Sequence, residues 1–147
     1  MKDDFDSIIV EHSFNSSIKD VWNAITNVNE MRLWFFDNIN EFEPIVGFES
    51  RFNVNSGERS FLHLWKLTGV EEFKRISYNW KYEDYPGDSE VIFELFNRND
   101  KTLLRLTHKI LDPFPQNIPE FSRESGINGW NYLITQSLAE FLAKSYD

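Results

Sequence analysis

The 147-residue sequence contains no cysteine. That excludes disulfides, a thiolate metal cage and a cysteine nucleophile, and it suits a reducing compartment. Proline and glycine are sparse, at five and six residues. No Pro/Gly/Ser-rich tract marks a linker and no segment repeats, so residues 1–147 read as one domain. Long apolar runs are missing too: nothing approaches the ~20 residues a membrane span requires. Basic clusters are absent. With 24 acidic and 15 basic side chains the net charge is −9, so neither nucleic acid nor an anionic membrane is an expected partner. The opening Met1-Lys2-Asp3-Asp4-Phe5-Asp6 puts acid where a signal peptide carries base, and no apolar segment follows it. The expected location is cytoplasmic. Gly47 and Gly129 belong to no phosphate-loop pattern, and there is no G-x-S-x-G elbow. Nucleotide binding and serine-hydrolase chemistry therefore receive no support.

Aromatic residues are abundant, at 16%, with 14 Phe and 5 Trp. Such side chains fill a core or line a pocket, and their order along the chain has to decide between the two. Ser7 to Phe14 alternates as a strand. Ser17-Ile18-Lys19-Asp20 then has the spacing of a helix N-cap, and Ile18, Val21, Trp22 and Ile25 form one apolar stripe behind it. A second short helix is expected over Asn29 to Trp34, with Met31, Trp34 and Phe35 turned inward.

Five strands follow. Phe48, Ser50, Phe52 and Val54 alternate with polar residues, as on a sheet with one wet face, and Asn55-Ser56-Gly57 turns the chain. Phe61 to Leu67 is apolar on both faces and cannot be oriented by periodicity. Ile76, Tyr78, Trp80 and Tyr82 define a third strand, and Pro86-Gly87 suits the centre of a type II turn. Val91, Phe93 and Leu95 mark a fourth. After Asn97-Arg98-Asn99-Asp100, Leu104, Leu106, His108 and Ile110 mark the last. From about Pro119 a final helix of roughly 23 residues, about 35 Å long, carries Trp130, Leu133, Ile134, Ser137, Leu138, Phe141 and Leu142 at helical spacing. Sequential strands joined by short turns pair antiparallel. The long helix is the one element able to cover their apolar face.

Several stretches taken in order resemble a known family. They are Val21-Trp22, Trp34-Phe35, Val46-Gly47 with Phe52, Arg75 to Trp80, Val91 to Leu95, Leu104 to His108, and Gly129-Trp130. Together they are similar to homologues of the heat-shock-protein-90 ATPase activator, in the START-like (SRPBCC) superfamily. The resemblance covers about residues 8 to 143. It implies an α+β helix-grip fold, a curved antiparallel sheet of about six strands around the C-terminal helix, with a cavity between them. Superfamily members hold lipids, sterols, polyketides, flavonoids or plant hormones there, and a minority catalyse reactions. The eukaryotic activator uses a separate N-terminal domain to stimulate the chaperone. Nothing in these residues corresponds to that domain, so a chaperone partner is not the expected role.

Parity then nominates a cavity-lining set: Phe52, Trp65, Tyr78, Trp80, Tyr82, Phe93, Leu106, His108, Trp130 and Ile134. The expected occupant is a small hydrophobic molecule, aromatic or lipid-like. Tyr78, His108 and Asn131 are the candidate hydrogen-bond donors to it. His12 and His108 should face the cavity from paired strands, but no carboxylate and no local ligand spacing accompanies them, so neither a metal nor a cofactor is expected. A cyclase or aromatase would have to rely on His108, Tyr78 and His12. A third reading is a protein-interaction module whose cavity is filled by aromatics. Leu62, Leu64, Ile92 and Phe96 on the outer face would suit a homodimer contact.

Overall fold

The computed structural model describes residues 7–145, so the acidic opening Met1–Asp6 lies outside the described residues. Strand β1 covers Ile8–Phe14, helix α1 Ile18–Thr26 and helix α2 Val28–Trp34. The expected N-cap forms, with the Ser17 hydroxyl accepting from the Asp20 N–H at 3.1 Å. Asn27 ends α1 and caps α2, its Oδ1 accepting from the Asn29 and Glu30 N–H groups. Val21, Trp22 and Ile25 are buried as the stripe requires, and Trp34 donates its indole N–H to the Ala24 carbonyl at 2.7 Å. That bond ties the two short helices into one brace, and Phe35 follows as the C-cap of α2.

Five strands follow: β2 Glu49–Ser56, β3 Arg59–Glu71, β4 Arg75–Tyr82, β5 Asp88–Arg98 and β6 Lys101–Asp112. Every pairing is antiparallel and the sheet order is β1-β6-β5-β4-β3-β2. The first strand thus returns beside the last, with Ile8 opposite His108 and Val10 opposite Leu106. One face is buried along Phe52, Trp65, Leu67, Ile76, Tyr78, Trp80, Val91, Phe93, Leu104 and Leu106. Pairing with β4 orients β3, which periodicity left open: His63 sits opposite Tyr82 and Trp65 opposite Trp80. On the outer face Leu62, Leu64, Ile92 and Phe96 are half-buried, and the Arg98 and Arg105 guanidinium groups lie over the Phe96 ring.

The C-terminal helix starts later than the pattern suggests. Pro119–Phe121 is a single 3-10 turn, and Ser122 then caps helix α3, Arg123–Tyr132, by accepting from the Ser125 N–H at 3.1 Å. A π-helical stretch, Leu133–Leu138, joins α3 to α4, Ala139–Ser145. The buried positions on this helix are Trp130, Ile134, Leu138 and Leu142, each four residues after the last. In a regular α-helix four residues overshoot a full turn by about 40°, which would walk that row off the sheet. The wider π turn rotates the chain less per residue and keeps the row aligned. Trp80 and Trp130 have ring centroids 5.6 Å apart, so sheet and helix grip the same core. No helix among the described residues is long and apolar enough to cross a membrane.

Candidate functional site

The space between sheet and helix divides at Phe35. Its ring stacks on Trp34 at 4.7 Å and reaches Trp65, Trp80 and Trp130 at 5.4, 6.2 and 5.9 Å. On one side the core is solid. Trp65 and Tyr78 lie 4.8 Å apart, Phe42 packs edge-on against both, and Phe93 stacks on Tyr78. Ile134 and Leu138 close it from the helix, both fully buried.

On the other side lies a cavity of about 620 Å³. Its walls are Phe61 of β3, Trp80 and Tyr82 of β4, Trp130 of α3, and Phe114 and Phe121 from the segment before α3. Phe121 packs on Tyr82 at 4.8 Å, Phe61 at 5.1 Å and Phe114 at 5.6 Å, so that segment is a roof of rings. Over this end α3 presents Gly126 and Gly129, and a Cβ added at Gly129 would meet nothing within 4 Å. At the rim, Glu120 bonds Arg59 at 3.0 Å, joining the roof to the start of β3. The Ser56 side chain, the Glu120 backbone N–H and Arg59 hold the Glu120 carboxyl below the ordinary range. Gln116 braces the roof, donating to the Phe114 and Phe121 carbonyls.

The polar groups of the inner wall have assigned roles. The Trp130 indole N–H can only donate, so at 3.0 Å it fixes His108 Nδ1 as the acceptor. His108 Nε2 then carries the proton and donates to the Ser89 hydroxyl at 2.9 Å. Ser89 in turn donates to the Trp80 carbonyl at 2.7 Å. His108 is neutral in this chain, and burial lowers its pKa to about 4. Both ring nitrogens are committed, so it pins α3 to β6 and has neither lone pair nor proton to spare. His63 differs. Its Nδ1 can only donate to the Phe61 carbonyl, at 3.1 Å, which leaves Nε2 as an acceptor. Burial lowers its pKa to about 4 despite that bond. Tyr82 accepts the Trp80 indole N–H at 2.9 Å, and burial raises its pKa to about 12.

Of the residues nominated from sequence, Trp80, Tyr82, His108 and Trp130 line the cavity. Phe52, Trp65, Tyr78, Phe93, Leu106 and Ile134 lie in the solid core beneath and beside it. Tyr78 and Trp65 carry the two side-chain polar atoms that are sealed off without a partner among the described residues. Asn131 does not reach the cavity as expected. It lies on the exposed side of α3 and donates back to the Ile127 carbonyl, because one residue past Trp130 turns a helix by about 100°. His12 and His108 do not meet either: His12 pairs with Leu104, one face position from the end of β1, and packs against Phe14. Sequence reasoning missed Phe35, Phe61, His63, Phe114 and Phe121 as wall residues. For Phe61 and His63 the usable signal was pairing with the clearly alternating β4. Phe35 was read as inward but not as wall, and Phe114 and Phe121 sit in a loop and a single 3-10 turn, too short for periodicity to read. Among the described residues no group of three His, Cys, Asp or Glu could hold a metal ion.

An antiparallel six-stranded sheet with two short helices after β1 and a gripping C-terminal helix defines the helix-grip class. Solved structures share it. DynU16, a protein in the dynemicin biosynthetic locus, aligns with TM-score 0.75 and 20% identity over 94% of this chain. This chain spans only 47% of DynU16. MLL2253 from Mesorhizobium loti aligns with TM-score 0.76 and 23% identity, over 95% of this chain and 98% of its own. CalU16 from Micromonospora echinospora aligns with TM-score 0.63 and 22% identity, over 96% and 76%. No curated protein matches the sequence. The profile described as "Activator of Hsp90 ATPase homolog 1-like protein" matches residues 15–143, and the chain belongs to that family.

Proposed function

We propose that this domain binds a small apolar molecule, aromatic or lipid-like, in the cavity beneath α3, and that it binds without catalysing a reaction. One observation carries the reading. A space of about 620 Å³ remains between sheet and helix, with aromatic rings on both its sheet and helix sides and polar residues such as Ser56, Gln116 and Glu120 also on its wall. Ligand sites of this kind run from roughly 300 to 1,000 Å³. Water in such a space makes few hydrogen bonds, so an apolar occupant that displaces it is favoured.

Catalysis by a cyclase or aromatase mechanism has less support. It needs free polar groups converging on one reacting atom. His108 is saturated by Trp130 and Ser89, Tyr78 is sealed in the solid core, and His12 pairs away from both. A thermal-shift screen against lipids and polyphenols tests the binding reading. At a hundredfold excess over Kd a ligand adds about 2.7 kcal/mol, which raises Tm by roughly 8 °C for a domain of this size. A library that leaves Tm unchanged contradicts it.

A further inference from the structure

Two polar groups on the cavity wall point to the chemistry of the occupant. His63 and Tyr82 are direct partners across β3 and β4, with ring centroids 4.8 Å apart and planes nearly perpendicular. Each is held by a bond that leaves its other function unused. His63 spends its Nδ1 proton on the Phe61 carbonyl, so Nε2 offers a lone pair. Tyr82 spends a lone pair on the Trp80 indole, so its own hydroxyl proton is left to donate. Neither His63 Nε2 nor the Tyr82 proton meets a further partner among the described residues. Nor is His63 Nε2 among the orphan atoms sealed from solvent, which are Trp65 Nε1 and Tyr78 Oη. Both rings belong to the wall of the cavity.

We propose that His63 and Tyr82 form a donor–acceptor pair that selects, among apolar molecules of fitting size, those bearing a neutral hydroxyl group on an aromatic ring. The proposal rests on the reading of the cavity as a ligand site. A hydroxyl both accepts and donates, so one oxygen atom satisfies Tyr82 and His63 together. An ether or ketone accepts from Tyr82 and leaves His63 Nε2 buried without a donor, which costs binding free energy. A carboxylate sets its own lone pairs against that of His63 and carries a charge into an apolar space. An ammonium group satisfies His63 but faces the same charge burial. The surrounding rings of Phe61, Trp80 and Phe121 favour an aromatic body through edge-to-face contact.

Calorimetric titration of the whole protein with naphthalene, 2-methoxynaphthalene, 2-naphthol and 2-naphthoate tests the pair. These probes share one ring system and differ in one group. The expected result is that 2-naphthol binds at least about tenfold more tightly than the other three, since a site built to hydrogen-bond a hydroxyl rejects analogues lacking it. In His63→Phe and in Tyr82→Phe the ratio of 2-naphthol to naphthalene affinity, each measured on the same variant, should fall to within about threefold. Equal binding of naphthalene, 2-methoxynaphthalene and 2-naphthol overturns the pair and leaves the apolar cavity standing. Tightest binding by 2-naphthoate also overturns it, because a carboxylate offers His63 no proton. Failure of all four probes, together with a silent ligand library, removes the cavity reading itself. The series on the unmodified protein decides these outcomes even where a variant does not fold.

Discussion

The two ends of the same sheet face make an instructive contrast. Both are aromatic: Trp65, Tyr78 and Phe93 at one end, Phe61, Trp80 and Tyr82 at the other. One is solid and the other holds about 620 Å³ of space. The strands do not cause the difference. At the solid end Phe42 comes down from the loop after α2, and Ile134 and Leu138 come down from the helix. At the hollow end the helix offers Gly126 and Gly129, and the roof of Phe114 and Phe121 spans the gap without filling it. What faces a sheet, more than the sheet itself, decides whether rings become core or wall.

Truncation should separate the ends most sharply. Trp65→Ala leaves a new void in close packing and should cost about 3–5 kcal/mol in urea denaturation. Phe121→Ala enlarges a space that already exists and should cost less than about 1.5 kcal/mol. Equal losses would erase the distinction.

Acid comes next. His63 and His108 each have a folded pKa near 4, below the ordinary 6.5. The unfolded chain therefore takes up these protons first, and stability falls as pH drops from about 6.5 towards 4. Each histidine contributes up to about 3 kcal/mol of that loss at one pKa unit per 1.36 kcal/mol. Urea melts of His108→Phe across this range should show a shallower acid limb. The same variant should lose about 1–3 kcal/mol at neutral pH, because the buried Trp130 N–H loses its acceptor. An unchanged acid limb would mean that His108 is not held neutral by burial.

The smallest effect sharpens the contrast from the helix side. Gly129→Ala should gain about 0.5–1 kcal/mol from helix propensity, since its new methyl meets nothing within 4 Å. Gly126→Ala should gain less, because the methyl would come within 3.0 Å of Ile8 Cδ1.

Much of this architecture was legible in the residues. Alternation along Ile76 to Tyr82, the Ser17 cap and the four-residue row on the last helix point to one sheet gripped by one helix. Trp80, Tyr82, His108 and Trp130 were legible as inward-facing for the same reason. The division into solid and hollow ends was not. It depends on Phe35, Phe42, Phe114 and Phe121, which sit in loops or at a helix end where no period operates. Parity also assigns a face without assigning a depth, and so it grouped Tyr78 and Trp65 with Trp80. The role of His108 was hidden as well, because its nearest polar partners, Ser89 and Trp130, are far from it in sequence.

The five tryptophans report on both ends at once. Trp80 and Trp130 border the hollow end, whereas Trp22, Trp34 and Trp65 are buried away from it. Titrating 2-naphthol into ¹⁵N-labelled protein and following the indole N–H signals should move those of Trp80 and Trp130 and leave the other three nearly still. Equal movement of the Trp65 and Trp34 signals, or no movement at all at saturating probe, would contradict a ligand site confined to the hollow end.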